Sequence, residues 1–353
     1  MSNTMYLRMP HYYKNFRCTA DKCSDSCCIG WEIDVDRKTY DFYKTVSGAF
    51  GEKLRCNISE LSVPHFILDK NERCPFLNDR NLCEIFINLG EDRLCGICTE
   101  HPRFYEWYDG IKEGGIGLCC EAAAETIITQ KGTFSYYDIP VTYEESREYD
   151  EEFYEYLFEM RENIIRHMEN TSIPFSQRLN NILFYAHNMQ NRYDNFEFEM
   201  LPIETHELKN NKADFSEILR EFSQLELLDN RNRFSELYES CDSFAGKIFD
   251  STDFDTKAFE NITVYFIWRH FLKSVYEDEF YSKIAFSVIS TVIIAVLCTS
   301  EKQSFSIDKL IRACVYYSKE VEYNETSLSR IFDNFYENDA FSVSKISSLL
   351  NFF

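Results

Sequence analysis

Thiols are the groups in this chain with the most chemistry to offer, and their spacing is far from even. Of 14 cysteines, eleven fall in the first 120 residues: Cys18, Cys23, Cys27, Cys28, Cys56, Cys74, Cys83, Cys95, Cys98, Cys119 and Cys120. The opening unit reads Cys18-x4-Cys23-x3-Cys27-Cys28 and runs into Ile29-Gly30-Trp31; Cys74-Pro75-Phe76-Leu77, Cys83 and Cys95-x2-Cys98 follow, then Cys119-Cys120-Glu121. Short spacers let neighbouring thiolates close on one soft metal without strain. Nine or more thiols exceed the four that one tetrahedral zinc takes. A [4Fe–4S] cluster also takes four, so the count allows a cluster with a second site, or two clusters. Spacing alone does not separate the metals; iron–sulfur is the expectation and zinc the alternative. No small-residue cleavage site or apolar leader occupies the first ten residues, so a reduced, cytoplasmic compartment is expected, where clustered cysteines read as metal ligands before disulfides.

Other metal and cofactor patterns do not fit. Cys23 and Cys27 have the first spacing of a Cys-x3-Cys-x2-Cys motif, but Gly30 stands where the third cysteine belongs. A ferredoxin run of Cys-x2-Cys-x2-Cys is absent. Gly110, Gly114, Gly115 and Gly117 form a glycine-rich stretch without a visible strand–turn–helix frame, so a dinucleotide loop is not expected there. His101 and Arg103 follow the Cys95-x2-Cys98 pair. The histidine is expected to bond backbone rather than metal, and Trp31 to cap the metal site.

These residues need elements to hold them. The chain has 353 residues, net charge −22 and 44% apolar residues, enough for one large domain or two ordinary ones. Gly and Pro total 18 residues, about 5% of the chain, against about 12% in average usage. Scarce turn residues favour helices. Near residue 135 the cysteine-rich composition gives way to helical periodicity: Phe153, Leu157, Met160, Ile164 and Met168 mark one face, and Leu179, Ile182, Leu183, Ala186 and Met189 a second behind Pro174. Phe215, Ile218, Leu219, Phe222 and Leu225 make a third, and segments 256–276, 282–299 and 306–320 complete the set. The expected architecture is mainly α: an irregular cysteine-rich metal domain over 1–135, packed on a helical bundle over 136–353. The apolar stretch Ile284–Cys298 is about 15 residues, short of the ~20 that span a bilayer, so it reads as the buried centre of that bundle. Residues 194–212 read as the longest connection, the acidic run over 144–152 as a solvated face, and Cys241, Cys298 and Cys314 as small buried hydrophobes. A strongly acidic chain lacks the basic footprint of a nucleic-acid binder.

The ordered motifs resemble the flagellin lysine-N-methylases, grouped with cysteine-cluster proteins described as zinc or iron chelators. Tyr6 to Pro10, Phe16-Arg17-Cys18, the Cys23 to Trp31 unit, Cys74-Pro75-Phe76-Leu77, Leu82-Cys83, Leu94-Cys95-x2-Cys98, His101-Pro102-Arg103 and Cys119-x-Glu121-Ala122-Ala123 follow the family order. Looser similarity continues at Glu260-Asn261 with Arg269 and at Ser318-Lys319-Glu320-Val321-Glu322. The resemblance implies methyl transfer from S-adenosylmethionine to lysine ε-amines of flagellin, with an iron–sulfur cofactor. It puts Glu260 and Glu322 forward as proton acceptors for the lysine, with Tyr265 beside the first. The implied ligand set is Cys18, Cys23, Cys27, Cys28, Cys74, Cys83, Cys95, Cys98 and Cys119. Cys120 stands where the family often has Pro, His101 where it often has Tyr, and Lys319 where it has Arg. Cys119 is preferred to Cys120 because Glu121-Ala122-Ala123 then aligns. A metal-binding protein without catalysis is the alternative.

Overall fold

A computed structural model describes residues 5–60, 63–108, 110–142, 148–208, 214–228, 231–241, 255–299 and 305–353. In chain order these form β1 (Met5–Pro10), α1 (Arg37–Thr45), α2 (Gly48–Cys56), β2 (Ile58–Ser59), β3 (His65–Phe66), α3 (Glu84–Leu89), α4 (Gly96–Glu100), β4 (Arg103–Tyr108), β5 (Ile111–Ile116), α5 (Glu121–Ile128) and β6 (Tyr136–Val141). The remainder is helical: α6 (Glu151–Met168), α7 (Phe175–Asp194), α8 (Ser216–Ser223), α9 (Arg233–Glu239), α10 (Thr256–His270), α11 (Tyr281–Thr299), α12 (Ile307–Tyr317), α13 (Glu325–Glu337) and α14 (Val343–Leu349). A π-helical turn, Ser318–Glu322, continues α12. The chain is mainly α, as its composition predicts.

The apolar faces read from the sequence are the buried faces of their helices. Pro174 sits one residue earlier than expected, at the N-cap of α7. Asp150, Asp255 and Ser306 cap α6, α10 and α12, each side chain accepting a first-turn N–H that would otherwise be unpaired. α11 is long and apolar enough to cross a membrane, yet 94% of its 18-residue window is buried inside the protein. It packs against α7, α10 and α12 as the centre of the bundle. Cys298 and Cys314 lie in this core. Within the acidic run, Glu148, Glu151 and Glu152 are exposed, while Glu144 and Glu145 lie outside the described residues. The connection after α7 has no regular structure over 197–208, and 209–213 lie outside the described residues.

The N-terminal part is less irregular than composition implies. A four-stranded sheet runs β4-β5-β1-β6, with β1 parallel to β5 and the other neighbours antiparallel. Its glycines explain why its sequence hides it. A Cβ on Gly114 would lie 2.7 Å from Met9 Sδ and 2.8 Å from the Tyr105 ring, and one on Gly115 would lie 2.5 Å from the Phe104 ring. The glycine-rich stretch is thus a strand thinned so that large side chains can cross it. Arg161 of α6 clamps Glu113 of β5 through two hydrogen bonds of 2.6 and 2.7 Å, and the Trp268 indole N–H donates to the Gly114 carbonyl at 3.0 Å. The apolar interior has two parts. A large one joins the sheet, α5 and the helices, while a smaller one gathers Ile33, Val35, Tyr40, Tyr43, Leu54, Ile58, Phe66, Phe76 and Ile85 with Cys74 and Cys95.

Candidate metal centre and the buried network behind it

The smaller core holds Cys74 and Cys95, with Cys28, Cys83 and Cys98 packed against it. Cys28 O accepts from Cys74 N at 2.8 Å, Leu77 bridges Cys83, and Cys83, Cys95 and Cys120 stand at the N-caps of α3, α4 and α5. None of these N-cap cysteines makes a capping hydrogen bond through its sulfur, but first-turn N–H groups lie near enough to act on the thiols: Ile85 and Phe86 on Cys83, Cys98 on Cys95, Ala122 and Ala123 on Cys120. Phe76 N–H does the same for Cys74. Such donors favour thiolate over thiol. Burial acts the other way and pushes Cys74 and Cys120 up to about 11. The Cys27 thiol is raised by its hydrogen bond with Cys28 and by burial; Cys98 is raised by Cys95 and by burial, which leaves Cys95 lowered.

Cys27, Cys28, Cys74, Cys83, Cys95 and Cys98 therefore form one neighbourhood in which each thiolate would repel the others. Cys120 adjoins it through Cys23 and Cys27. Cys119 is fully buried on the far side, bonded to the Tyr323 hydroxyl, and burial raises it to about 12. Cys18 is exposed, its sulfur accepting from Ala20 N at 3.4 Å, and Cys56 is exposed at the end of α2. Among the described residues these thiols approach as near pairs, Cys27 with Cys28 and Cys95 with Cys98, and no three sulfurs lie within 4.8 Å of one another; thiols are the donors that a soft metal or an iron–sulfur cluster takes.

Behind Cys119 lies a buried polar network built from the loosely similar residues. Glu322 accepts from the Tyr265 hydroxyl at 2.9 Å, His270 Nε2 at 2.9 Å and Ser318 Oγ at 2.6 Å, and its Oε1 lies 3.0 Å from Arg269 Nε. Burial alone would raise this carboxyl, but Arg269 and the donors outweigh it and hold it down at about 2. Burial keeps His270 neutral, down to about 3. Arg269 also donates to Tyr323 at 2.9 Å, and Tyr265 accepts from Leu118 N at 3.2 Å. Gly117 closes the arrangement: a Cβ there would run into the Tyr323 hydroxyl. Glu260 is elsewhere, buried and paired with Arg178 at 2.6 Å and Lys257 at 2.5 Å. Arg269, Ser318 and Glu322 thus converge, whereas Glu260 staples α7 to α10. Arg269 holds the Glu322 carboxylate ionised, and Glu260 lies between Arg178 and Lys257, arrangements that suit positioning. Nothing in the sequence marks Tyr323 or His270, although they adjoin Glu322 and Arg269.

The loops and the helices meet at a cleft of about 490 Å³. Ser24, Asp25, Ile29 and Gly30 form one wall, and Ile311, Arg312, Val315, Tyr316 and Lys319 the other. Lys319 Nζ pairs with Asp25 at 2.6 Å, and Glu121 accepts from Ser24 N and Oγ at 2.8 and 2.7 Å. Four acidic and four basic residues line the cleft: Asp25, Glu72, Glu121 and Glu320 against Arg231, Arg233, Arg312 and Lys319. Trp31 stands at its edge, its ring T-shaped to Tyr323 at 5.9 Å and to His101 at 6.1 Å. Burial and nearby Lys319 keep His101 neutral, down to about 4. Arg103 donates to the Tyr13 hydroxyl at 2.7 Å and to Thr99 O at 3.0 Å.

Residues 198–349, which carry the Arg269–Glu322 network, match the family described as the FliB lysine N-methylase C-terminal domain. Over those residues the chain is similar to the lysine N-methylases. It is similar to the flagellar biosynthetic protein FliU of Salmonella muenchen, 25% identical over 130 residues, covering 34% of this chain and 75% of that protein. It is also similar to the lysine-N-methylase of Salmonella choleraesuis, 26% identical over 130 residues, and to that of Salmonella typhimurium, 25% identical over 133 residues. Each of these matches covers 34% of this chain and 31% of the relative, so less than a third of either lysine-N-methylase is represented. No solved structure matches the chain. Within the family's domain, the network binds α10 to the turn after α12, and Tyr323 carries its influence to Cys119.

Proposed function

We propose that this protein is a protein-lysine N-methyltransferase of the cytoplasm, moving methyl groups from S-adenosylmethionine to lysine ε-amines of flagellin. The observation that carries the reading is the lysine N-methylase domain match itself, whose buried network reaches Cys119 through Tyr323. The cluster is assigned an iron–sulfur group on Cys27, Cys28, Cys74, Cys83, Cys95 and Cys98, with Cys18, Cys23, Cys119 and Cys120 as the remaining ligand candidates. When bound, such a group supplies a fixed anionic or redox-active centre and ties the loops to one another.

This chain's own residues have three tasks. The mixed-charge cleft suits a zwitterionic donor: Arg312, Arg231 and Arg233 for its carboxylate, and Asp25, Glu72 or Glu121 for its ammonium and sulfonium charges. An acceptor lysine must arrive neutral, since only the free amine has a lone pair for the methyl carbon. Arginine and lysine ends along the wall favour the neutral amine by like-charge repulsion, and its proton leaves to water. The nitrogen lone pair then forms the N–CH3 bond as the C–S bond breaks and its electron pair returns to sulfur. Glu322, Arg269 and Tyr265 act as positioning residues that hold the floor of this region rigid.

The test is to incubate the anaerobically purified full chain with S-adenosylmethionine and unmodified flagellin, and to map methylated lysines by mass spectrometry. Mass gains of one CH2 unit on flagellin lysines are expected. No gain with metal-loaded protein would remove the enzyme reading in favour of a metal-binding protein without catalysis.

A further inference from the structure

Outside the thiol loops, Glu32, Asp34 and His65 bring one ligand atom each to within 4.8 Å of one another. The backbone enforces the meeting. Asp34 and His65 oppose each other in an isolated antiparallel bridge, Val35 N donates to Pro64 O at 2.6 Å, and Phe66 N donates to Ile33 O at 3.0 Å. Ile33, Val35 and Phe66 point into the small core, so extended alternation turns Glu32, Asp34 and His65 to the outer side. Two carboxylates brought together repel, and among the described residues no lysine or arginine forms an ion pair with either. The third member is already oriented: His65 Nδ1 lies 2.9 Å from the Val63 carbonyl, and in the tautomer that donates there Nε2 is the nitrogen available to a metal. Metal-ligating histidines are held in this way from behind.

We propose that Glu32, Asp34 and His65 bind one divalent first-row transition ion of the Mn2+, Fe2+ or Zn2+ type. The donor set is two hard carboxylates and one imidazole, with no thiol. The imidazole favours these ions over Mg2+ and Ca2+, and the oxygens separate the site from the soft cysteine cluster. Atoms bound at about 2.0–2.2 Å to one ion sit roughly 3–3.5 Å apart, so ligand atoms within 4.8 Å of one another need only a small closure on binding. Three protein ligands leave coordination positions open to water. Glu32 and His65 line a cleft of about 570 Å³ together with Trp31. The ion pins the segment behind Trp31 to the β2–β3 hairpin, and Trp31 is the residue that packs on Tyr323. The inference does not rest on methyl transfer.

Mn2+ is the probe, because thiolates compete for it poorly. Titrating the full chain with Mn2+ and counting free ion by electron paramagnetic resonance should give one site per chain. Glu32→Gln, at an exposed position that leaves the fold intact, should weaken binding at least tenfold. His65→Ala should weaken it further, and Cys95→Ala should leave it unchanged. Absence of binding overturns the proposal, as does equal affinity in wild type and Glu32→Gln. Loss on Cys95→Ala without loss on Glu32→Gln would move the ion to the thiols and overturn it equally.

Discussion

Replacing Glu322 by Gln keeps the shape of the side chain and removes its charge, which leaves Arg269 buried without a counter-ion. Arg269 Nε is 3.0 Å from Glu322 and its side chain is only 9% exposed, so solvent cannot take over. Breaking one partner of such a pair costs about 3–5 kcal/mol. The carboxyl's own titration points to the same size: held at about 2 against an ordinary 4.5, it contributes roughly 3 kcal/mol at neutral pH at about 1.4 kcal/mol per pH unit. The folded-state value is depressed, so this stability is complete above about pH 4.5 and is lost as pH falls towards 2. Urea unfolding should show Glu322→Gln and Arg269→Met each destabilised by about 3–5 kcal/mol. The double variant should be much less affected than the two losses added, with an interaction energy of at least about 2 kcal/mol. The gap between wild type and Glu322→Gln should narrow below pH 4.5. An interaction energy under about 0.5 kcal/mol, or a gap that persists to pH 2.5, would refute the network as a unit.

Other expectations concern the thiols, the cleft and the glycine. Cys95→Ala or Cys98→Ala should lose the cluster's iron together with its acid-labile sulfide, read by iron and sulfide analysis of anaerobically prepared protein, while Cys314→Ala, deep in the helical core, should keep both. Gly117→Ala should cost about 1–3 kcal/mol through overpacking against Tyr323, measured by thermal denaturation. Arg312→Ala should raise the S-adenosylmethionine dissociation constant several-fold in calorimetric titration; an unchanged constant would move the donor out of the cleft. Methylation rate should climb with pH as the acceptor amine loses its proton, and a flat profile between pH 7 and 9 would contradict attack by a cleft-bound neutral amine.

What the sequence alone determined follows from local rules. A helix needs only its own periodicity and caps, so the faces of α6, α7, α8 and α10–α12 could be read from apolar spacing, and the thiol neighbourhood from Cys-x2-Cys and Cys-Cys pairs whose partners are close along the chain. The lysine N-methylase relationship was legible for the same reason, since ordered motifs survive without a fold. The sheet was not legible, because β1 pairs with β5 and β6 across more than 100 residues and the glycines of β5 erase the alternation that marks a strand. Nor could sequence separate the two glutamates. Glu260 and Glu322 look alike as letters, yet one meets Arg178 and the other meets Arg269, His270, Ser318 and Tyr265. The convergence of Glu32 and Asp34 on His65 depends on a single bridge between segments about 30 residues apart. Charge pairing and close approach are decided by which surfaces meet, and only the tertiary structure brings them together.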